Sequence, residues 1–373
     1  MCYETHQYVA KTLIHIGYYV RPFIRKIGKL TLLLVGVAFA AEVLLRLAWP
    51  QIFPIYERGM LLPAPVLGHV LTPNFSGTLS RVDFKIDVHI NKDGLRGPEL
   101  QPRTESAVRI LCLGDSMTWG WGVAEEQAFP AILGQQLQRH YPDTNIQIIN
   151  AGVPFYGTND EVALLKHRIV EFDPDIVVLQ FNAVDDFEQN RLPSIERQVF
   201  EDGIVRYVPD YEWTRGPAWM TLLNRAKHES HLLRLLSEIA GQALMRANLL
   251  SSLESVSSNF FDDNEAETAR QLLTEIAMLS KQAGASTVFM YAPEKMQVLA
   301  KPSEELRAAR LVRDVSESVD AAFVDLTPAS VAQGDVEMLF SKAEGYWTES
   351  GHQLIASLLF DEIVNEQLIT TAR

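Results

Sequence analysis

The stretch RILCLGDSMTWG, residues 109–120, decides the fold of this chain. After Arg109 it has four apolar residues, 110–113, which are followed by Gly114. A short apolar run that ends at a glycine is typical of a buried strand leading into a tight turn. Ser116 lies in that turn. Because the ligand crevice of an open α/β sheet lies at the carboxyl ends of its strands, Ser116 is a candidate reactive residue.

Further apolar runs of strand length alternate with helical stretches along the rest of the chain. Strands are predicted at 146–150, 176–181, 287–291 and 322–326, and helices at about 129–139, 160–171, 265–284, 303–318 and 350–365. This alternation predicts a parallel sheet covered by helices on both faces. We therefore expect an α/β domain with a flavodoxin-like three-layer fold at 107–368, carrying an insertion at about 193–264.

The N-terminal part contains an apolar segment at 30–49, interrupted only by Glu42 and Arg46. Its length of about 20 residues suits one bilayer crossing. Lysines and arginines precede it at positions 21, 25, 26 and 29. This bias predicts a single transmembrane anchor with residues 1–29 in the cytoplasm and the bulk of the chain extracytoplasmic.

Two alternatives to the anchor are open at this point. Ala38-Phe39-Ala40 has the small-x-small pattern of a signal-peptide cleavage site. The segment also fits a buried or interfacial helix, since charges inside a span are costly. Glu42 and Arg46 are four residues apart, so they can pair on one face of a helix.

Residues 50–106 differ from the rest in being rich in proline and glycine. The run at 84–90 alternates between apolar and polar residues, which predicts a strand. We expect a small β-rich lead-in here that packs on the main domain.

Composition excludes several classes of function. The net charge of −14 would repel a nucleic acid, so none is expected as a partner. The two cysteines, Cys2 and Cys112, provide neither a disulfide framework nor a cysteine zinc site. His228 and His231 are three residues apart, whereas the zinc-peptidase motif needs four. We expect no metal and no cofactor.

Several motifs combine with the turn at Ser116. The second predicted strand ends in Asn150-Ala151-Gly152, and the third ends in Phe181-Asn182. Asn91-Lys92-Asp93-Gly94-Leu95-Arg96-Gly97 lies upstream, and Gly351-His352 opens the last helix. Across roughly 85–365 the sequence resembles the SGNH (GDSL-type) hydrolase family, notably its membrane-anchored bacterial members.

The resemblance implies ester hydrolysis through an acyl-enzyme. Ser116 corresponds to the nucleophile, and its backbone N–H to one donor of the oxyanion hole. Gly152 corresponds to a second backbone donor. A histidine near the C-terminus takes the serine proton, and an acidic residue orients that histidine.

Two family positions are changed in this sequence. Aligned on the strand, Val184 stands where the family has its oxyanion asparagine, and Asn182 can replace it only if the loop shifts. The family histidine five residues before Gly351 corresponds to Tyr346, and the acid corresponds to Glu344. A second alignment instead supplies Glu349 as the acid and His352 as the base.

Two functions follow from these features. The first is a serine ester hydrolase or acyl-transfer enzyme for an acylated glycan or another cell-envelope compound. The second is a catalytically degenerate domain of the same fold that binds glycan or scaffolds an envelope protein assembly. Ser116 and Gly152 favour the enzyme, and the changed positions favour the binding domain.

Overall fold

The structure is a computed structural model, and it describes most of the chain between residues 25 and 369. The described residues are 25–26, 28–47, 58–81, 83–192, 196, 198–201, 204–207, 230–233, 235–236, 239, 261–342 and 345–369. The first 24 residues and most of the predicted insertion at 193–264 lie outside this set.

The elements are numbered here in chain order. The strands are β1 (Leu61–Ala64), β2 (Gly68–Leu71), β3 (Ser76–Ser80), β4 (Lys85–His89), β5 (Ala107–Leu113), β6 (Asn145–Asn150), β7 (Ile176–Phe181), β8 (Gln198–Glu201), β9 (Ile204–Tyr207), β10 (Ser286–Tyr291) and β11 (Ala322–Asp325). The helices are α1 (Gly28–Leu47), α2 (Ser116–Trp119), α3 (Phe129–His140), α4 (Thr158–Phe172), α5 (Ala183–Gln189), α6 (Asp263–Gln282), α7 (Lys295–Leu299), α8 (Arg307–Val319), α9 (Thr327–Ala332), α10 (Val336–Leu339) and α11 (Glu349–Asn365).

A parallel sheet of five strands forms the centre of the main domain, in the order β6-β5-β7-β10-β11. This is the flavodoxin-like order, in which the first strand of the sheet lies between the second and the third. The predicted α/β fold is therefore confirmed. The long helices and the sheet strands begin and end within a few residues of their predicted positions.

The strand that leads to Ser116 is buried on both faces. Ile110 and Cys112 pack in a core that includes residues of α3 and α11. Leu111 and Leu113 point to the opposite face, whose core includes residues of α4, α6 and α8. Successive side chains of a strand alternate between faces, so a continuous apolar run is what a strand between two helical layers requires.

The β-rich lead-in forms two antiparallel hairpins, β1–β2 and β3–β4. Their side chains Leu61, Leu71 and Val88 are buried in the core that also holds Leu111. Pro54–Glu212 and Leu244–Arg373 accordingly form one compact unit. The lead-in packs on the main domain by sharing its core.

A second compact unit comprises Met1–Phe53 and Trp213–Ala243. Its described part contains α1, a helix of 20 residues with a mean hydropathy of 2.1, which is long and apolar enough to cross a membrane. None of its most apolar window is buried, which does not fit the core helix of a soluble protein. A signal sequence meets the same criteria of length and composition.

Candidate active site

Ser116 is the first residue of α2, directly beyond the carboxyl end of β5. Asp115 caps this helix, and its carboxylate accepts a hydrogen bond of 2.7 Å from the N–H of Met117. Ser116 is 9% exposed. The sequence folds this way because a strand, a glycine and an aspartate N-cap follow one another, which turns the chain sharply and starts a helix.

Gly152 lies beside this turn, after β6. The N–H of Ala151 donates to the carbonyl of Cys112 at 2.9 Å, and that of Val153 donates to Gly114 at 3.0 Å. These bonds extend the parallel pairing beyond the strands. A Cβ on Gly152 would overlap the backbone nitrogen of Trp119 and would lie 2.8 Å from the carbonyl carbon of Thr118. The backbone of Gly152 therefore lies directly against α2.

Both predicted donors besides Ser116 have acceptors within the protein. The N–H of Gly152 donates to Asn150 Oδ1 at 3.1 Å. Asn182, at the end of β7, donates from Nδ2 to Glu294 Oε1 at 2.7 Å. An oxyanion at this place would have to compete with both acceptors for these hydrogen bonds.

Met117 connects three segments around the nucleophile position. Its sulfur receives the indole N–H of Trp347 at 3.1 Å, and Asn182 Nδ2 lies 3.8 Å from the same sulfur. Tyr346 packs its ring 5.7 Å from the ring of Trp121. The backbone N–H of Trp121 donates to the Ser116 carbonyl at 2.9 Å. The structure thus brings the segment with Tyr346 to the loop that carries Ser116.

For two of the predicted family positions, Glu344 and Val184, the structure describes no side chain. Glu344 lies outside the described residues. Val184 is the second residue of α5, and only its backbone belongs to the described part. Their assignment as replaced family positions stays a prediction.

His352 is buried, with 1% of its surface exposed. Its Nδ1 accepts the N–H of Phe129, the first residue of α3, at 3.2 Å, and the two rings stack with centroids 6.2 Å apart. Burial lowers the pKa of His352 to about 3, with a further contribution from the charge of Arg96. The imidazole is therefore neutral and serves as an acceptor at the start of a helix.

Glu349 is exposed and does not reach His352. Its Oε2 accepts a hydrogen bond from Gln127 Nε2 at 2.8 Å, and its Oε1 accepts one from Gln353 Nε2 at 3.4 Å. Among the described residues no hydrogen bond joins Glu349 to His352. The structure consequently does not assemble the predicted acid and base pair, because each side chain is bonded to a different neighbour.

Three tryptophans near the motifs belong to the core. Trp119, Trp121 and Trp347 are each 2% exposed or less. Trp119 carries the guanidinium of Arg96 over its ring at 4.1 Å, and Trp121 packs edge-on against Phe84. Their faces are occupied by protein, so they pack the site and do not offer a surface for a sugar ring.

Arg96 holds the loop after the nucleophile helix, and sequence reasoning assigned it no role. Its guanidinium is 1% exposed. It donates to the carbonyls of Trp119 at 2.9 Å, Gly120 at 2.6 Å and Val123 at 2.7 Å. The sequence feature that could have indicated this role is the motif at residues 91–97. There Asn91 Oδ1 accepts the N–H groups of Asp93 and Leu95 and shapes the turn before Arg96.

Removing this guanidinium should destabilise the domain strongly. We expect Arg96→Gln to lower the free energy of unfolding by about 3 kcal/mol, because three buried carbonyl groups lose the hydrogen bonds that the guanidinium donates. Urea unfolding followed by circular dichroism measures the change. The control Arg139→Gln removes an exposed arginine on α3 and should cost at most about 0.5 kcal/mol. Equal effects of the two substitutions would contradict the role of Arg96.

Carboxyl groups are buried behind the nucleophile turn. Asp186 accepts the N–H and the hydroxyl of Thr158 at 2.9 and 2.7 Å and the N–H of Asn182 at 2.7 Å. It thereby joins the ends of the loops after β6 and β7. Burial, together with the neighbouring carboxylates, raises the pKa of Asp115 and of Glu161. Burial is also the main cause that raises the pKa of Asp186 to about 7.

These raised pKa values predict a pH-dependent stability. A carboxyl group that holds its proton more tightly in the folded state stabilises the fold at low pH, and this contribution is lost as the pH rises through the folded pKa. Glu161→Gln removes one such group and should raise the melting temperature at pH 8 more than at pH 5. The control Glu317→Gln changes an exposed residue of α8. A Glu161→Gln effect independent of pH would contradict the prediction.

No group of three or more His, Cys, Asp or Glu side chains within the described ranges has the geometry to hold a metal ion. His228 lies outside those ranges, and His231 begins a helical stretch.

Comparison with known proteins identifies the domain. Residues 112–354 match the GDSL-like lipase/acylhydrolase family. The chain belongs to this family. The match contains Ser116, Gly152 and Tyr346, and it confirms the predicted resemblance.

Individual relatives are more distant than the family match. An arylesterase from Vibrio mimicus is 27% identical over 86 residues, which are 23% of this chain and 42% of that protein. A two-domain esterase active on acetylated mannans has 12% identity and a TM-score of 0.43, over 72% of this chain and 51% of that one. A variant acetyl-xylooligosaccharide esterase from Geobacillus stearothermophilus has 14% identity and a TM-score of 0.41, over 71% and 96%. The chain therefore spans less than half the length of its arylesterase relative.

Ser116 thus lies at the carboxyl end of β5, inside the parallel sheet. Gly152 lies beside it and packs tightly on α2. The imidazole of His352, in contrast, accepts a hydrogen bond from the Phe129 N–H. These three observations determine what chemistry can be proposed.

Proposed function

We propose that the main domain is a serine ester hydrolase or acyl-transfer enzyme that acts on an acylated glycan or a related cell-envelope compound. Helix α1 anchors it as a single-pass protein with the bulk of the chain extracytoplasmic. The observation that carries the proposal is the placement of Ser116 on the first turn of α2, with the backbone of Gly152 beside it.

The reaction would begin with attack of Ser116 Oγ on the ester carbonyl carbon, which gives an acyl-enzyme and an alcohol. The N–H groups in the first turn of a helix have no intrahelical partner, so the backbone N–H of Ser116 suits the developing oxyanion. Gly152 would contribute a second N–H on exchanging its bond to Asn150. Water or a second alcohol then takes the acyl group.

Transfer of the Ser116 proton is expected to be the slow step of this reaction. A neutral His352 bound to the Phe129 N–H is poorly placed to act as a base. Tyr346 stands at the predicted family histidine position, and a phenol is a poorer general base than an imidazole near neutral pH. We therefore expect slow turnover.

The second candidate function is a non-catalytic domain that binds glycan. Two observations favour it. His352 accepts a hydrogen bond from the first residue of α3, and the donors of Gly152 and Asn182 already bind acceptors within the protein. Such a domain would retain Ser116 for its position in the turn and not for its nucleophilicity.

A fluorophosphonate probe on the purified full-length protein distinguishes the two functions. An enzyme should be labelled slowly and only when Ser116 is present, with Ser116→Ala as the control. His352→Asn retains an acceptor for the Phe129 N–H and should retain labelling, whereas a catalytic His352 would make this variant inert. If the folded natural protein is not labelled, the enzyme proposal fails, and calorimetry with acetylated and deacetylated oligosaccharides then tests binding.

A further inference from the structure

Helix α1 carries a carboxylate, Glu42, near its C-terminal end. Arg46 Nε donates to Glu42 Oε1 at 2.7 Å, as the four-residue spacing predicted. Three donors from a distant part of the chain bind the same carboxylate. They are Ser230 Oγ at 2.9 Å, the His231 N–H at 3.0 Å and the Leu232 N–H at 2.8 Å.

These three donors mark the start of a helical stretch. Residues 231–233, 235–236 and 239 are helical within the described part. A carboxylate that accepts the first N–H groups of a helix satisfies donors with no intrahelical partner, and its charge is favourable beside the helix N-terminus. Glu42 therefore docks this stretch onto α1, and both belong to the same compact unit.

The docking point lies close to one end of the apolar helix. Glu42 is five residues before Leu47, the last residue of α1, which corresponds to about 7.5 Å along the helix axis. In the proposed orientation this end faces the extracytoplasmic side. Residues 230–232 consequently meet α1 at the depth of the outer membrane–water boundary.

The stretch exposes large apolar side chains. Leu233, Leu236 and Ile239 are 36%, 51% and 55% exposed. Their spacing of three residues keeps them near one face of a helix. An apolar helix face beside a membrane span is typical of helices that lie in the interface with that face in the acyl-chain boundary.

We propose that the helical stretch with residues 231–233, 235–236 and 239 is part of a second membrane element, which lies in the interface and is held against the anchor by Glu42. Lipid of the outer leaflet covers its apolar face, which consists of Leu233, Leu236 and Ile239. This inference rests on the proposed anchor and is independent of the chemistry at Ser116. It also accounts for a carboxylate within an apolar helix, because Arg46 and three donors surround it.

A depth-sensitive fluorophore tests the proposal on the full chain in phosphatidylcholine–phosphatidylglycerol vesicles. Leu236→Cys in a Cys2→Ser background receives the probe. Cys112 stays unlabelled because it is buried, which raises the pKa of its thiol to about 12. We expect blue-shifted emission and several-fold stronger quenching by nitroxides on the acyl chains than by a water-soluble nitroxide. Glu42→Ala should reverse both, while Arg46→Gln should not, since the donors at 230–232 remain.

A probe quenched mainly from water would overturn the inference, and so would a Glu42→Ala variant whose probe behaves as in the parent protein. Carbonate extraction of the same vesicles tests the anchor separately. Extraction of the protein without detergent would refute the anchor and the docked helix together. A carbonate-resistant protein with a water-exposed probe would refute only the docked helix. Fluorophosphonate labelling of Ser116 reports the proposed activity independently of both.

Discussion

Replacing Tyr346 by histidine and Val184 by asparagine in one protein is expected to raise ester hydrolysis by at least about 10²-fold. A donor aimed at the oxyanion contributes about 10²–10³ in turnover. A base with a pKa near 6.5 contributes about 10²–10⁴ where a tyrosine is mostly protonated. Tyr346 is a suitable position because its segment packs against the loop after Ser116 through Trp121. Turnover of short acyl esters and acetylated sugars measures the gain.

The design has an internal control. The gain should disappear when Ser116→Ala is added, because the acyl-enzyme can no longer form. The single substitution Tyr346→His should give part of the gain, since base and donor act in the same step. A double variant that folds like the parent and still lacks turnover would contradict the enzyme proposal and support a binding domain.

Gly152→Ala is expected to destabilise the domain and to displace the nucleophile together. The added methyl would lie 2.8 Å from the Thr118 carbonyl carbon and 2.9 Å from Trp119 Cα. Overpacking costs about 1–3 kcal/mol in general, and the upper part of that range applies here because the neighbours are backbone atoms. A shift of about 1 Å in a reacting group can reduce turnover about 10²-fold.

Thermal unfolding and the rate of fluorophosphonate labelling measure the two effects. Gly36→Ala is the matched control, since a Cβ there meets nothing within 4 Å. If Gly152→Ala has the parent's melting temperature, then the packing of Gly152 on α2 does not hold in solution.

The sheet could be predicted from the sequence because its strands are buried on both faces. The run 110–113 is apolar throughout, and the run 176–181 is apolar except for Gln180. Such runs between helical stretches are typical of buried strands of a parallel sheet. The short helices α2 and α5 could not be predicted in the same way. They are too short to show a helical period, and their starts are set by hydrogen bonds such as Asp115 to Met117.

The site was only partly predictable, for a physical reason. Ser116, Gly152 and Asn182 follow adjacent strands, so the parallel sheet brings them to one edge. His352 and Glu349 lie on a helix, and their direction depends on packing that the sequence does not display. Arg96 was missed because its partners are carbonyl groups, which carry no residue-specific signal.

The segment between α2 and α3 is held at one end by Arg96 and at the other by His352. These two contacts differ greatly in sequence separation. Arg96 reaches its carbonyls across 23 to 27 residues, so this contact can form soon after that part of the chain is synthesised. His352 reaches Phe129 across 223 residues and becomes available only with the last helix. Because long-range contacts form late in folding, α3 would acquire its N-terminal acceptor near the end of synthesis. A premature stop codon before position 352 would thus remove the acceptor of the Phe129 N–H while the Arg96 contacts remain. This loss would occur although Ser116, Gly152 and Asn182 are all translated.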